Sequence, residues 1–280
     1  MISLRRKGIE AMKADYKNWV PKGMEVGFLA GAGVLAAGAV LAGALVHSEQ
    51  SGGTKRRWLK RAVVGTLAAG AAGAGVFGAW CVYARRMFSY DGERKLSRQI
   101  VEGTAEHIRI PAGGTGLDVG CGSGALTIAC AKRNPDAEMI GIDPWGPEYA
   151  SFSRKRCEMN AKAEGVTNVR FQDGNAVKLD FPDESFDAVT SNYVYHNIMR
   201  VDRQKLLRES LRVLKKGGTF ALHDIMSKGR YGDMEAFARQ LRDEGYEKVE
   251  LIETDSGLFM SQNEARTMFL KGSKLLTGIK

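Results

Sequence analysis

The chain has 280 residues, 44% of them apolar and 26% charged, which is room for one α/β domain and an appendage. Its 41 Lys and Arg outnumber its 32 Asp and Glu, but the excess is local: residues 1–86 hold 13 basic and four acidic side chains, and residues 87–280 hold 28 of each. A basic excess confined to the flanks of apolar segments points to lipid headgroups and argues against a groove for nucleic acid. The four cysteines, Cys81, Cys121, Cys130 and Cys157, have no zinc-type spacing, so no metal site is expected and a reducing compartment suits them.

In residues 1–25, Ile9, Met12, Tyr16 and Trp19 recur every three or four positions among Arg5, Arg6, Lys7, Lys13 and Lys17. This spacing predicts a basic amphipathic segment, either an interfacial helix or a solvated helix packed on the domain. Two uncharged runs follow, residues 26–46 and 62–84, each long enough to cross a hydrocarbon core of about 30 Å. Small residues repeat along them (Gly27 and Gly31, Ala32 and Ala36, Ala39 and Gly43, Ala69 and Gly73, Ala74 and Gly78), a pattern that lets helices approach closely in lipid. Residues 26–84 therefore read as a two-helix transmembrane hairpin whose small-residue faces are also where a homo-oligomer would form. The competing readings are a flexible Gly/Ala-rich arm and a signal peptide, though a secretory apolar stretch is usually shorter, about 7–15 residues, and unpaired. Flanking Lys and Arg favour both termini in the cytoplasm by eleven to five.

The remainder, residues 85–280, alternates helix and strand patterns. A helix over residues 96–108 is broken by Pro111-Ala112-Gly113-Gly114 before a strand at 115–119. Helix is predicted again over 125–132, strand over 139–143, helix over 147–163 and strand over 169–173. A strand over 185–191 leads to an amphipathic helix over 202–214, which Lys215-Lys216-Gly217-Gly218 is expected to close, and then to a strand over 219–223. A helix over 233–244 and strands over 248–254 and 273–279 finish the chain. Alternation of this kind makes a parallel, doubly wound sheet.

The richest stretch is Leu117-Asp118-Val119-Gly120-Cys121-Gly122-Ser123-Gly124. A strand ends in a turn of alternate glycines that opens a helix, so backbone N–H groups and the positive helix end face a ligand. Asp118 repels phosphate but accepts a hydrogen bond from an ammonium, which fits a ligand carrying both amine and carboxylate. Asp143, followed by Pro144, ends the second strand, where an acidic group commonly meets ribose hydroxyls. Asp173 and Gly174 form a corner at the end of the third.

Together these residues resemble the class I S-adenosylmethionine-dependent methyltransferases, from about residue 93 to residue 280. The resemblance implies a Rossmann-like, seven-stranded, mostly parallel sheet with an antiparallel last strand. It implies that Asp118, Gly120, Cys121, Gly122 and Gly124 hold the methionine end of the cofactor, Asp143 the ribose, and Asp173 the adenine amino group. Tyr90 would cover the methionine end. A cytosolic cofactor puts the catalytic domain on the cytoplasmic face. Two other readings stay open: a nicotinamide-dependent oxidoreductase, because Gly120-x-Gly122-x-x-Ala125 with Asp143 also fits that fingerprint, and a cofactor-binding membrane tether or sensor without turnover.

Ligands gather beyond the carboxyl ends of strands in such sheets, and after the fourth Asn192, expected to contact the cofactor, is followed by Tyr193, Tyr195, His196 and Asn197. Methyl transfer needs alignment, and a base only if the accepting atom bears a proton. His196 is the candidate base, or else a structural loop histidine or a substrate contact, and the tyrosines are expected to pack. No Asn/Asp-Pro-Pro-aromatic motif follows this strand and no Pro-Cys pair occurs, which disfavours methylation of adenine or glutamine amino groups and of cytosine C5. The sequence points to a small, lipophilic or membrane-proximal acceptor.

Overall fold

The structure, a computed structural model, describes residues 13–48, 54–146 and 152–280. The chain divides into two compact units: residues 18–95, and residues 96–280 together with the N-terminal stretch up to Lys17.

The smaller unit is a pair of helices, α1 (Lys22–Ser48) and α2 (Thr54–Met87). They run antiparallel, as the close approaches show: Gly78 faces Leu29, Gly75 faces Ala32, Gly70 faces Leu35 and Gly38 faces Leu67. A methyl group on Gly78 would meet Leu29 at 2.6 Å, so this position requires glycine. Phe28 stacks on Phe77 at 4.5 Å, and Arg85 pairs with Glu25 at 2.8 Å where the two helices meet at one end. Other small residues predicted to mediate packing do not: Gly27, Gly31, Gly43 and Gly73 have open space around them. Both helices are long and apolar enough to cross a membrane, and their outer faces expose Val34, Val40, Leu41, Leu45 and Val76.

The predicted N-terminal helix is not formed where the chain is described. Residues 13–18 are irregular, and residues 1–12 lie outside the described residues. Backbone and side-chain bonds to the larger unit take the place of helix here: Asp15 N–H donates to Asn160 Oδ1 at 2.7 Å, and Arg156 reaches the Asp15 carboxylate at 2.6 Å.

The larger unit begins with α3 (Leu96–Ala105), followed by β1 (Thr115–Val119), α4 (Ala125–Arg133) and β2 (Glu138–Asp143). Next come α5 (Arg154–Ala163), β3 (Val169–Asp173), β4 (Phe186–Asn192), α6 (Arg203–Arg212) and β5 (Leu214–Ile225). The chain closes with α7 (Lys228–Tyr231), α8 (Met234–Asp243), β6 (Lys248–Glu253), α9 (Gln262–Thr267) and β7 (Ser273–Ile279). Side chains set several helix starts: Ser153 for α5, Asp202 for α6, Asp233 for α8, and a reciprocal Ser261–Glu264 box for α9.

The seven strands lie in the order β3-β2-β1-β4-β5-β7-β6. All neighbours are parallel except β7, which runs antiparallel to both β5 and β6. All the strands except β7 thus end at one edge of the sheet, where β7 begins. The core on one face joins Leu117, Val119, Val189, Leu207, Phe220 and Phe237.

Three boundaries differ from the sequence reading. The helix expected over 147–163 is seen only from Arg154, with residues 147–151 outside the described residues. The helix expected to reach Leu214 stops at Arg212, and Lys215-Lys216-Gly217-Gly218 belongs to β5 instead of closing it. There Leu214 pairs with Phe186 and Thr219 with Ala188, so the chain bulges, and Gly217 at φ +75° supplies the bend. The short α7 and α9 were not expected.

Candidate active site

The glycine turn between β1 and α4 is held from below by the neighbouring strand. Gly120 and Cys121 both donate their N–H to the Ile142 carbonyl, at 2.8 and 2.9 Å. Gly120, Gly122 and Gly124 all have φ between +55° and +82°, which side chains resist. Beside Gly122 there is open space, whereas a methyl on Gly120 would lie 2.4 Å from Val194. No side chain caps α4, so its first turn is open to an outside acceptor such as a carboxylate.

Asp118 does not project into that opening. It is 1% exposed, and its oxygens accept hydrogen bonds from the hydroxyls of Thr127 (2.6 Å) and Thr190 (2.9 Å). Burial pushes its carboxyl up to about 6, while the two threonine hydroxyls pull the other way. It is a buried carboxylate beneath the turn, which the Thr127 backbone also bonds.

Asp143 stands at the tip of β2 and accepts from the backbone N–H of Gly122 (3.0 Å) and of Trp145 (2.8 Å). Trp145, at φ +39°, also donates its indole N–H to the Gly122 carbonyl at 3.0 Å, closing over the turn. Pro144 between them is exposed. Asp173, paired in register with Asp143, is exposed at the end of β3, and Gly174 packs its backbone against Ile142. Cys121 is buried against Cys157, whose thiol donates to the Gly122 carbonyl at 3.2 Å, and burial pushes the Cys121 thiol up. These residues therefore converge on one turn. Tyr90, by contrast, lies in the helical unit of residues 18–95.

The second group lies after β4 and β5. His196 donates from Nδ1 to Asp224 Oδ1 at 2.6 Å, and its backbone N–H reaches Oδ2 at 3.2 Å. Asp224 is wholly buried; burial acts to raise its carboxyl, but the His196 contacts and the Ile225 N–H hold it below the usual range. Nδ1 faces the carboxylate, so Nε2 is the ring nitrogen that Asp224 does not hold. Asn192 turns inward, its Oδ1 accepting from His223 Nδ1 at 2.8 Å, while Thr254 donates to His223 Nε2 at 2.8 Å. His223 is thus a neutral, buried strut, and burial pushes it down to about 4. Tyr193 bonds Ser273 and Tyr195 bonds Ser210, and burial pushes both phenols up, so neither is a base.

Sequence reasoning missed Trp145, Asn160 and the two threonines. The aromatic directly after Asp143-Pro144 was the available signal for the first. Asn160 gave none, yet its amide donates to the Ser123 carbonyl at 2.9 Å and to the Asp15 carbonyl at 3.2 Å, joining the turn to the N-terminal strap. A cavity of about 250 Å³ lined by His107, Arg109 and Glu250 opens at the opposite edge of the sheet, away from every strand end just described. Among the described residues no cluster of metal-binding side chains occurs.

Residues 117–222 match the family model described as a methyltransferase domain. This stretch of the larger unit is similar to a methyltransferase domain, and the cofactor is S-adenosylmethionine, for which the uncapped helix, the bare turn and the buried carboxylate are suited. Among curated proteins, the chain is similar to demethylmenaquinone methyltransferase of Geobacillus kaustophilus (strain HTA426), 36% identical over 118 residues, 42% of this chain and 47% of that one. It is also similar to 27-O-demethylrifamycin SV methyltransferase of Amycolatopsis mediterranei (strain S699), 31% identical over 165 residues, covering 58% of this chain and 57% of the other. The chain thus spans about half the length of the curated relatives it matches. Among solved structures, geranyl diphosphate methyltransferase, in complex with GPP and sinefungin, shares the fold with a TM-score of 0.50 at 18% identity, over 70% of this chain and 82% of that one.

Proposed function

We propose that this protein is a membrane-anchored methyltransferase that moves a methyl group from S-adenosylmethionine to a small, lipid-soluble acceptor. The observation that carries the reading is the His196–Asp224 pair, set at the same sheet edge as the glycine turn. The cofactor supplies a methyl group already activated by a sulfonium charge. The chain's own residues hold it: the first turn of α4 for its carboxylate, the Asp118 charge for its ammonium, Asp143 and Trp145 for its ribose, and Asp173 and Gly174 for its adenine. His196 then takes the proton of an acceptor hydroxyl or similar group as the methyl arrives, and Asp224 steadies the resulting imidazolium. The relatives named for demethylmenaquinone and demethylrifamycin support a small-molecule acceptor.

The anchor is the hairpin of α1 and α2. Residues 13–17 and 96–280 form one compact body, so the chain leaves it and returns to it on one side of the bilayer, which demands an even number of crossings. Basic residues at both ends of the hairpin put that side in the cytoplasm. Membranes carrying the full-length protein, incubated with methyl-labelled cofactor and separated into lipid, aqueous and macromolecular fractions, test the reading. Label is expected in a small molecule of the lipid extract; label only in protein or RNA overturns it.

A further inference from the structure

Large apolar side chains are rare on the surface of the methyltransferase unit, and their distribution is uneven. Among its described residues five are exposed: Met159, Val177, Met199, Leu258 and Phe269. All but Met159 follow the ends of β3, β4 and β6, at the edge where the active site opens. Met199 is 76% exposed and Phe269 68% exposed. Phe269, at φ +58°, is the left-handed residue that ends α9, where Leu270 N–H donates to the Ala265 carbonyl at 2.8 Å, and this turn presents its ring outward. Exposed cations stand beside these side chains, Arg200 beside Met199 and Lys271 two residues beyond Phe269.

The occupant is indicated by the chain itself. The strap at residues 13–17 is bonded through Asn160 to Ser123 of the glycine turn, at this same edge. Only residues 18–21 separate the strap from the first apolar helix, a tether of about 14 Å at full extension. An apolar tip flanked by Lys and Arg matches the boundary between acyl chains and phosphate headgroups.

We propose that the active-site edge of the sheet rests on the bilayer, with Met199, Leu258 and Phe269 dipped into the acyl boundary and Arg200 and Lys271 on anionic headgroups. An acceptor dissolved in lipid then reaches the site without crossing water. The inference rests on the reading of α1 and α2 as spans, and its test separates the two.

Full-length protein carrying Met199→Cys or Phe269→Cys, labelled with an environment-sensitive fluorophore, is reconstituted into vesicles of phosphatidylcholine with phosphatidylglycerol; the four native cysteines are buried. Lys248→Cys, at the opposite edge, is the control. Labels at 199 and 269 should be quenched by brominated acyl chains at least twofold more than the control. Pairing each with Arg200→Glu and Lys271→Glu should at least halve that quenching, while S-adenosylhomocysteine binding stays unchanged. Labels at 199 and 269 that aqueous iodide quenches as readily as the control overturn the proposal. Protection from iodide without quenching by lipid, the signature of a protein partner, overturns it too. Extraction of the full chain by alkaline carbonate overturns the spans themselves, which is a different failure.

Discussion

Nδ1 of His196, on the loop after β4, sits 2.6 Å from the wholly buried carboxylate of Asp224 at the end of β5. A bond this short to a buried carboxylate fixes the orientation of the ring. His196→Ala should lower kcat about 10²–10⁴-fold, the usual worth of a positioned base, and leave S-adenosylhomocysteine affinity within about twofold of wild type. Asp224→Asn should lower kcat by a smaller factor in the same direction. Full turnover in the alanine variant, measured with labelled cofactor on a lipid extract, would leave alignment alone as the mechanism.

Gly120 sits where only glycine fits. Its φ is +76°, and a methyl there would press on Val194 at 2.4 Å. Gly120→Ala should cost about 2–4 kcal/mol of stability from combined strain and overlap, and should abolish cofactor binding at temperatures where it stays folded. Gly122→Ala, which has open space around it but φ +55°, should cost less in folding while still impairing binding. Thermal unfolding alongside equilibrium titration with S-adenosylhomocysteine separates the two effects.

Asn160 is almost wholly buried and bonded to both the Ser123 carbonyl and the backbone of Asp15. Asn160→Ala removes three hydrogen bonds and leaves the buried Ser123 carbonyl unpaired, at about 1–3 kcal/mol. The strap at residues 13–17 should then be cut by protease in membranes where the wild type resists. Cofactor affinity should fall several-fold, because the turn loses a support. Unchanged protease sensitivity would show that Asn160 is not what holds the strap.

The sheet and the glycine turn were legible because each is written locally: a buried run, an acidic residue, then glycines. Strand ends at Asp118, Asp143 and Asp173 fell where the pattern put them, as did β7. What escaped was set by contacts distant in sequence. Lys215-Lys216-Gly217-Gly218 looks like a helix terminus, but pairing of Leu214 with Phe186 draws it into β5. The periodicity of residues 1–25 suggests a helix, but where the chain is described Asn160 bonds both the N–H and the carbonyl of Asp15, and Arg156 its carboxylate. Asp118 was read as facing the ligand because its place in the sequence is right; the threonines that enclose it come from α4 and β4, and one of them lies 72 residues away.

Asp118 and His223 pull stability in opposite directions as pH changes. The Asp118 carboxyl is raised from 3.8 to about 6, so between those values the folded chain keeps a proton that the unfolded chain has lost, and stability falls as pH rises. The His223 imidazole is lowered from 6.5 to about 4, so the folded chain lacks a proton that the unfolded chain holds, and stability rises with pH across that window. Each slope is at most about 1.4 kcal/mol per pH unit, so between pH 4 and 6 the two nearly cancel. Asp118→Asn leaves only the histidine slope: urea unfolding of the full chain in detergent should show stability climbing with pH across this window, and a more stable protein than wild type at pH 7. On the proposed role of Asp118, the same variant should bind S-adenosylhomocysteine more weakly, since the buried negative charge beneath the turn is gone. His223→Gln should give the mirror image, stability falling from pH 4 to 6. A profile for Asp118→Asn as flat as that of wild type would mean that the carboxylate is not the buried charge beneath the turn.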